Sequence, residues 1–137
     1  INLLMNSYGG IDPETLVVIA PAKEILKEYR FIIVDGKPIN GALYLDENNK
    51  GTFNPYYDKP CFDQQAINFA KKMAEKYQPD RAYTLDVCLA REYGYELYQV
   101  MEINSFNCAA MYGMHYPIVV NAINKLAVDE HDNLFEI

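Results

Sequence analysis

An α+β fold, with helices packed on an antiparallel sheet made from two hairpins, is predicted by three features of the chain. Two strand pairs are marked by turn signals, Asp35-Gly36 and Tyr93-Gly94-Tyr95. Between them one segment repeats apolar residues at helical spacing, and a second helical segment follows the last strand. At 137 residues and 50% hydrophobic, the chain is long enough for one compact domain with a sizeable core.

Residues 1–15 are mixed, with Tyr8-Gly9-Gly10 and Asp12-Pro13 marking loop. The apolar run 16–20 reads as a buried strand stopped by Pro21. Residues 28–34 are β-branched and aromatic, and Asp35-Gly36 turns them into a partner strand over 39–45. On the first strand Glu28, Arg30 and Ile32 share one face, while Tyr29, Phe31 and Ile33 share the other. Residues 46–60 are polar and turn-rich and read as a surface loop. A helix follows, its inward stripe carried by Phe62, Ala66, Phe69, Ala70, Met73 and Tyr77, with Pro60 near its start and Pro79 past its end. Strands over 82–89 and 96–104 make the second hairpin. A last helix over about 117–127 turns Ile118, Ala122, Ile123 and Leu126 inward, and the acidic stretch 129–132 reads as a frayed linker. The chain is thus expected to be a single domain over 1–137, a fragment of something longer, with its core in 16–127 and a tail over 128–137.

Composition excludes several classes of function. A net charge of −7 without any run of Lys or Arg argues against nucleic acid or an anionic membrane as the main partner. No apolar stretch approaches the roughly 20 residues that span a bilayer. Cys61, Cys88 and Cys108 are an odd number without zinc-like spacing, which favours reduced thiols and a cytoplasmic setting over a disulfide framework. No signal peptide can be read.

The chemistry concentrates in Asp86 … Glu102-Ile103-Asn104. Alternation along an extended strand puts Glu102 and Asn104 on one face, and a hairpin centred on Gly94 sets Asp86 opposite Glu102. Cross-strand Cβ atoms lie roughly 5 Å apart, so the two carboxylates raise one another's pKa unless a divalent cation supplies positive charge. Carboxylate and amide oxygens are the ligands magnesium takes, alongside water and phosphate.

Tyr83-Thr84-Leu85-Asp86-Val87 and, after the hairpin, Val100-Met101-Glu102-Ile103-Asn104-Ser105-Phe106 together resemble the metal-binding end of the ATP-grasp superfamily. The upstream stretch from Val18 to Phe31, with Glu28-Tyr29-Arg30, is similar to the strand, linker and strand on which that family seats adenine and ribose. The resemblance spans roughly residues 16–127 and implies a C-terminal ATP-grasp subdomain with ATP and Mg2+ as cofactors. It implies that Asp86 takes one magnesium, Glu102 bridges two and Asn104 completes the second site. It also implies that Glu28 reaches the ribose hydroxyls and that backbone groups from Ile19, Ala20, Lys23 and Glu24 meet the adenine. Lys23 is the lysine nearer that seat, and Arg30 could clamp a phosphate or an acyl-phosphate oxygen.

The implied reaction is ATP-dependent activation of a carboxylate as an acyl phosphate, followed by attack of an amine, on small-molecule or peptide substrates. Two departures stand out. Many ATP-grasp ligases carry Arg two residues before the metal-binding Asp, where this chain has Thr84. The family's other half, with its own lysine and glycine-rich loop, has no counterpart here, so an N-terminal lobe of the same protein is the expected partner. Two other readings remain open: a nucleotide-binding or interaction module without ligase activity, and a metal-dependent phosphohydrolase that activates water with the same carboxylates. Glu28 and Arg30 read equally well as an ion pair on an exposed sheet face.

Overall fold

The computed structural model describes residues 14–16, 19, 21–47 and 59–134, the side chains of Lys59 and Cys108 excepted. In chain order the elements are β1 (Glu24–Val34), β2 (Lys37–Leu45), β3 (Lys59–Pro60), α1 (Gln64–Lys76), β4 (Ala82–Glu92), β5 (Tyr95–Ser105), a short 3-10 turn at Phe106–Cys108, and α2 (Tyr116–Leu134). The strands form one antiparallel sheet in the order β3-β2-β1-β4-β5. Asp35 and Gly36 join β1 to β2 with φ of 46° and 72°, both left-handed, as a two-residue hairpin turn requires.

Alternation along β1 divides the core in two. Tyr29, Phe31 and Ile33 lie with Tyr83, Leu85 and Val87 of β4 beneath α1, which presents Ala66, Ala70 and Ala74. A stripe of alanines four residues apart lets the helix approach the large side chains of the sheet closely. On the opposite face Ile32, Val34 and Ala42 pack against Val119 and Leu126 of α2 and against Met114. That second cluster leaves out Arg30 and Asp86, which lie farther along the same face.

Asp63 fastens α1 to the sheet. Its Oδ1 accepts from the N–H groups of Gln65 and Ala66 at 3.1 Å, capping the helix, while Oδ2 accepts from the hydroxyls of Tyr29 at 2.6 Å and Tyr98 at 2.9 Å. Burial pushes the Asp63 carboxyl up, but these four hydrogen bonds outweigh it and hold the group below the usual carboxylate range. The same contact, after burial itself, pushes the Tyr98 hydroxyl up to about 12. Asp63→Ala removes the cap and strands two tyrosine hydroxyls, so urea unfolding should show a loss of about 2–3 kcal/mol. Because the folded state lowers this pKa, the contribution is present at neutral pH. It fades as pH falls below about 4, through the folded value, and the difference between wild type and Asp63→Ala should shrink there.

Four expectations are corrected. Leu16 and Ile19 are 98% and 89% exposed and lie in no strand. β1 is flanked by β2 and β4 and leaves no neighbouring slot for the run 16–20, whose residues 17, 18 and 20 lie outside the described set. Phe62 and Tyr77 are also exposed, because α1 starts after Asp63 and ends at Lys76, and Ala74 completes the buried stripe in their place. Ile118 is exposed as well: starting α2 at Tyr116 puts Val119, Ala122, Ile123 and Leu126 on the inner face at helical spacing. Finally, the acidic stretch 129–132 is helical, since α2 continues to Leu134 and Arg81 holds Asp129 at 2.8 Å while its fork grips Asp35. Of the expected loop 46–60, residues 48–58 lie outside the described set, and Lys59–Pro60 pairs with β2 as an edge strand.

Candidate active site

The second hairpin brings Asp86 opposite Glu102 and Thr84 opposite Asn104, as the spacing leads one to expect. The route differs from a simple turn centred on Gly94. The turn is the two-residue pair Tyr93-Gly94, with φ of 51° and 83°, so Glu92 faces Tyr95 and Val87 faces Val100. Continued without interruption, that register would put Met101 opposite Asp86 and send Glu102 to the α1 face. A bulge between Val87 and Asp86 takes up Met101 as an extra residue and returns Glu102 to the face of Asp86.

Across the sheet the register of β1 adds Arg30, paired with Asp86. Arg30 Nε donates to Asp86 Oδ1 at 2.8 Å and Nη2 to Oδ2 at 2.6 Å, a two-pronged fork, and Nη2 lies 3.5 Å from Glu102 Oε1. Asp86 is 1% exposed and Arg30 8%, whereas the Glu102 side chain is 56% exposed. The three charges therefore run in one row from a buried centre to an open rim. Burial pushes the Asp86 carboxyl up; the Arg30 fork opposes this, and the neighbouring Glu102 adds to it. The same fork holds the Arg30 guanidinium above its ordinary value, so it stays charged.

Two tyrosines complete the surroundings of Arg30. The rings of Tyr44 and Tyr112 stack at 4.5 Å, and the guanidinium carbon lies 5.9 Å and 5.1 Å from their centroids, within cation–π reach. The Tyr44 hydroxyl donates to Asp86 Oδ2 at 3.4 Å, and burial together with the nearby Asp86 and Glu28 raises its pKa and keeps it protonated. Neither tyrosine is singled out by the sequence, which holds 12 of them. Strand alternation could have nominated Tyr44, but Tyr112 stands in a loop with left-handed φ of 45° and carries no periodic signal.

Along the same face, two residues further on, Glu28 of β1 and Gln99 of β5 flank Cys88 of β4. The Lys23 ammonium donates to the Gln99 side-chain oxygen, which ties the segment before β1 to the sheet. The face thus carries a polar strip from Lys23 and Gln99, past Glu28, to Arg30, Asp86, Glu102 and Asn104. Arg30 pairs with Asp86 and Glu102 rather than with Glu28. Glu24 lies apart, its carboxylate held by Arg91, which also binds Glu96. Ile19 is exposed, and Ala20 lies outside the described residues.

Among the described residues no three His, Cys, Asp or Glu side chains gather as a metal cage. The donors here are two carboxylates and one amide, hard oxygens that suit magnesium when water and phosphate oxygens fill the remaining positions. The position two residues before Asp86 is filled by Thr84, fully buried, whose hydroxyl donates to the Asn104 carbonyl at 3.3 Å and pins β5 beside the site. Among the described residues no helix is long and apolar enough to cross a membrane.

Compared with known proteins, residues 4–126 match a family model described as an ATP-grasp domain, the third family of its clade. Searches of curated proteins and of solved structures find no match.

Proposed function

Because the chain belongs to the ATP-grasp superfamily, we propose that it is the nucleotide- and magnesium-binding part of a ligase that activates a carboxylate as an acyl phosphate for attack by an amine. The supporting observation is the row Arg30, Asp86, Glu102, with Asn104 one step along β5 on the same face. Asp86 and Glu102 supply carboxylates and Asn104 an amide oxygen toward Mg2+, which when bound neutralises charge on the phosphoryl group in transfer. The substrate carboxylate attacks the terminal phosphorus and ADP leaves; the amine then attacks the acyl carbon and phosphate leaves. Arg30 holds positive charge beside the phosphates throughout, and its planar fork suits their oxygens. Glu28 lies two residues from Arg30 on the same face, the right side for ribose hydroxyls, and Lys23 lies near the adenine end. The pocket for the carboxylate and amine substrates, and the other half of the cleft, are contributed by parts of the protein outside these residues.

Glu102→Gln tests this reading with little risk to the fold, since its side chain is largely exposed. In the full-length protein, magnesium-dependent ADP release should fall on the order of 10²-fold or more, and unchanged release would remove Glu102 from the site. A module that holds nucleotide without transferring phosphate is favoured by one feature, the fork that occupies both oxygens of Asp86. Bound ATP without ADP release, across a panel of acids and amines, would decide for it.

A further inference from the structure

The buried carboxylate at the centre of the site already has a cation, and that cation is part of the chain. Both oxygens of Asp86 accept from Arg30, in a row where Glu102 stands 3.5 Å from the same guanidinium nitrogen. A dication approaching Asp86 and Glu102 meets a fixed positive charge, and the two repel strongly at such separations in a poorly solvated site. We propose that Arg30 is a resident counter-ion that holds the site assembled until a divalent cation displaces it from Asp86, after which its guanidinium is free for phosphate oxygens. This rests on the reading of the site given above.

Three features support it. The guanidinium has a seat that does not depend on Asp86, because the Tyr44 and Tyr112 rings lie within cation–π distance of it, so leaving the carboxylate does not strand it. Arg30 is the one arginine placed to do this, since the sequence's other two are held elsewhere, Arg81 by Asp35 and Asp129, Arg91 by Glu24 and Glu96. And a carboxylate 1% exposed is kept ionised only by a partner, so removing Arg30 leaves a buried charge that a dication alone can compensate.

The exchange makes an unusual demand: removing a positive charge and nothing else should tighten binding of a cation. In the full-length protein without nucleotide, Mn2+ affinity measured by calorimetry should rise about tenfold or more in Arg30→Gln. It should rise by an intermediate factor in Arg30→Lys, which keeps the charge and loses the fork. Mn2+ should also raise the melting temperature of Arg30→Gln more than that of wild type. In wild type, saturating Mg2+ should shift the Arg30 side-chain Nε–H resonance as it loses Asp86. Equal or weaker Mn2+ binding by both variants, or an unmoved Nε–H resonance in a protein that has bound Mg2+, overturns the exchange and leaves the metal site standing. Absence of any Mn2+ binding in wild type and variants alike removes the metal site itself. If Arg30→Gln does not fold, the Lys variant and the wild-type resonance carry the decision.

Discussion

Asp86→Asn in the full-length protein should abolish magnesium-dependent ATP turnover, with kcat falling by about 10³-fold or more. The carboxylate is nearly inaccessible, and its two oxygens face a guanidinium on one side and the strand of Glu102 on the other. An amide keeps the shape but turns an NH2 group toward the Arg30 fork, setting donor against donor in a place with little water. The loss should therefore exceed that of Glu102→Gln, whose position at the rim lets water replace a missing contact. Circular dichroism and thermal melting of the variant separate a chemical defect from unfolding. Turnover at the wild-type rate in a folded Asp86→Asn protein would contradict the assigned role.

Arg30→Leu should lower stability in urea by about 3–5 kcal/mol, because it leaves Asp86 charged, buried and unpaired. The double variant Arg30→Leu/Asp86→Leu should recover most of that loss, since a well-packed apolar pair at this depth is often as stable as the ion pair it replaces. A single variant as stable as wild type would mean that Asp86 is compensated in some other way. A double variant that folds well but turns over no ATP would show that the pair is kept for function at no benefit to the fold. Together with the cation measurements above, this pair of variants separates what Arg30 does for folding from what it does toward a metal.

Much of the architecture is readable because its signals are local. Asp35-Gly36 can adopt the left-handed turn, and Asp63 with the prolines at 60 and 79 brackets α1. The pairing of Asp86 with Glu102 is readable too, though by a compensation: a turn centred on Gly94 has the same register as a two-residue turn followed by one bulged residue, and nothing in the sequence marks Met101 as that residue. What is not readable depends on which strands become neighbours. Alternation shows that Arg30 and Glu28 share a face, but the partner of Arg30 is 56 positions away and is set by the pairing of β1 with β4. The run 16–20 has the composition of a buried strand, yet burial requires a vacant place beside a strand, and β2 and β4 already occupy both sides of β1. The acidic residues near the end look solvated until Arg81, just before β4, is known to reach Asp129.

The most direct test of the nucleotide site is a paramagnetic one. Mn2+ added with a non-hydrolysable ATP analogue to isotopically labelled full-length protein should broaden the amide resonances of Thr84, Asp86, Glu102 and Asn104 first. Those of Ala66, Ala70 and Ala74, on the other side of the sheet, should stay sharp. Broadening centred anywhere else, or none at nucleotide and metal concentrations that saturate the protein, would contradict a triphosphate-bearing cation held by this hairpin.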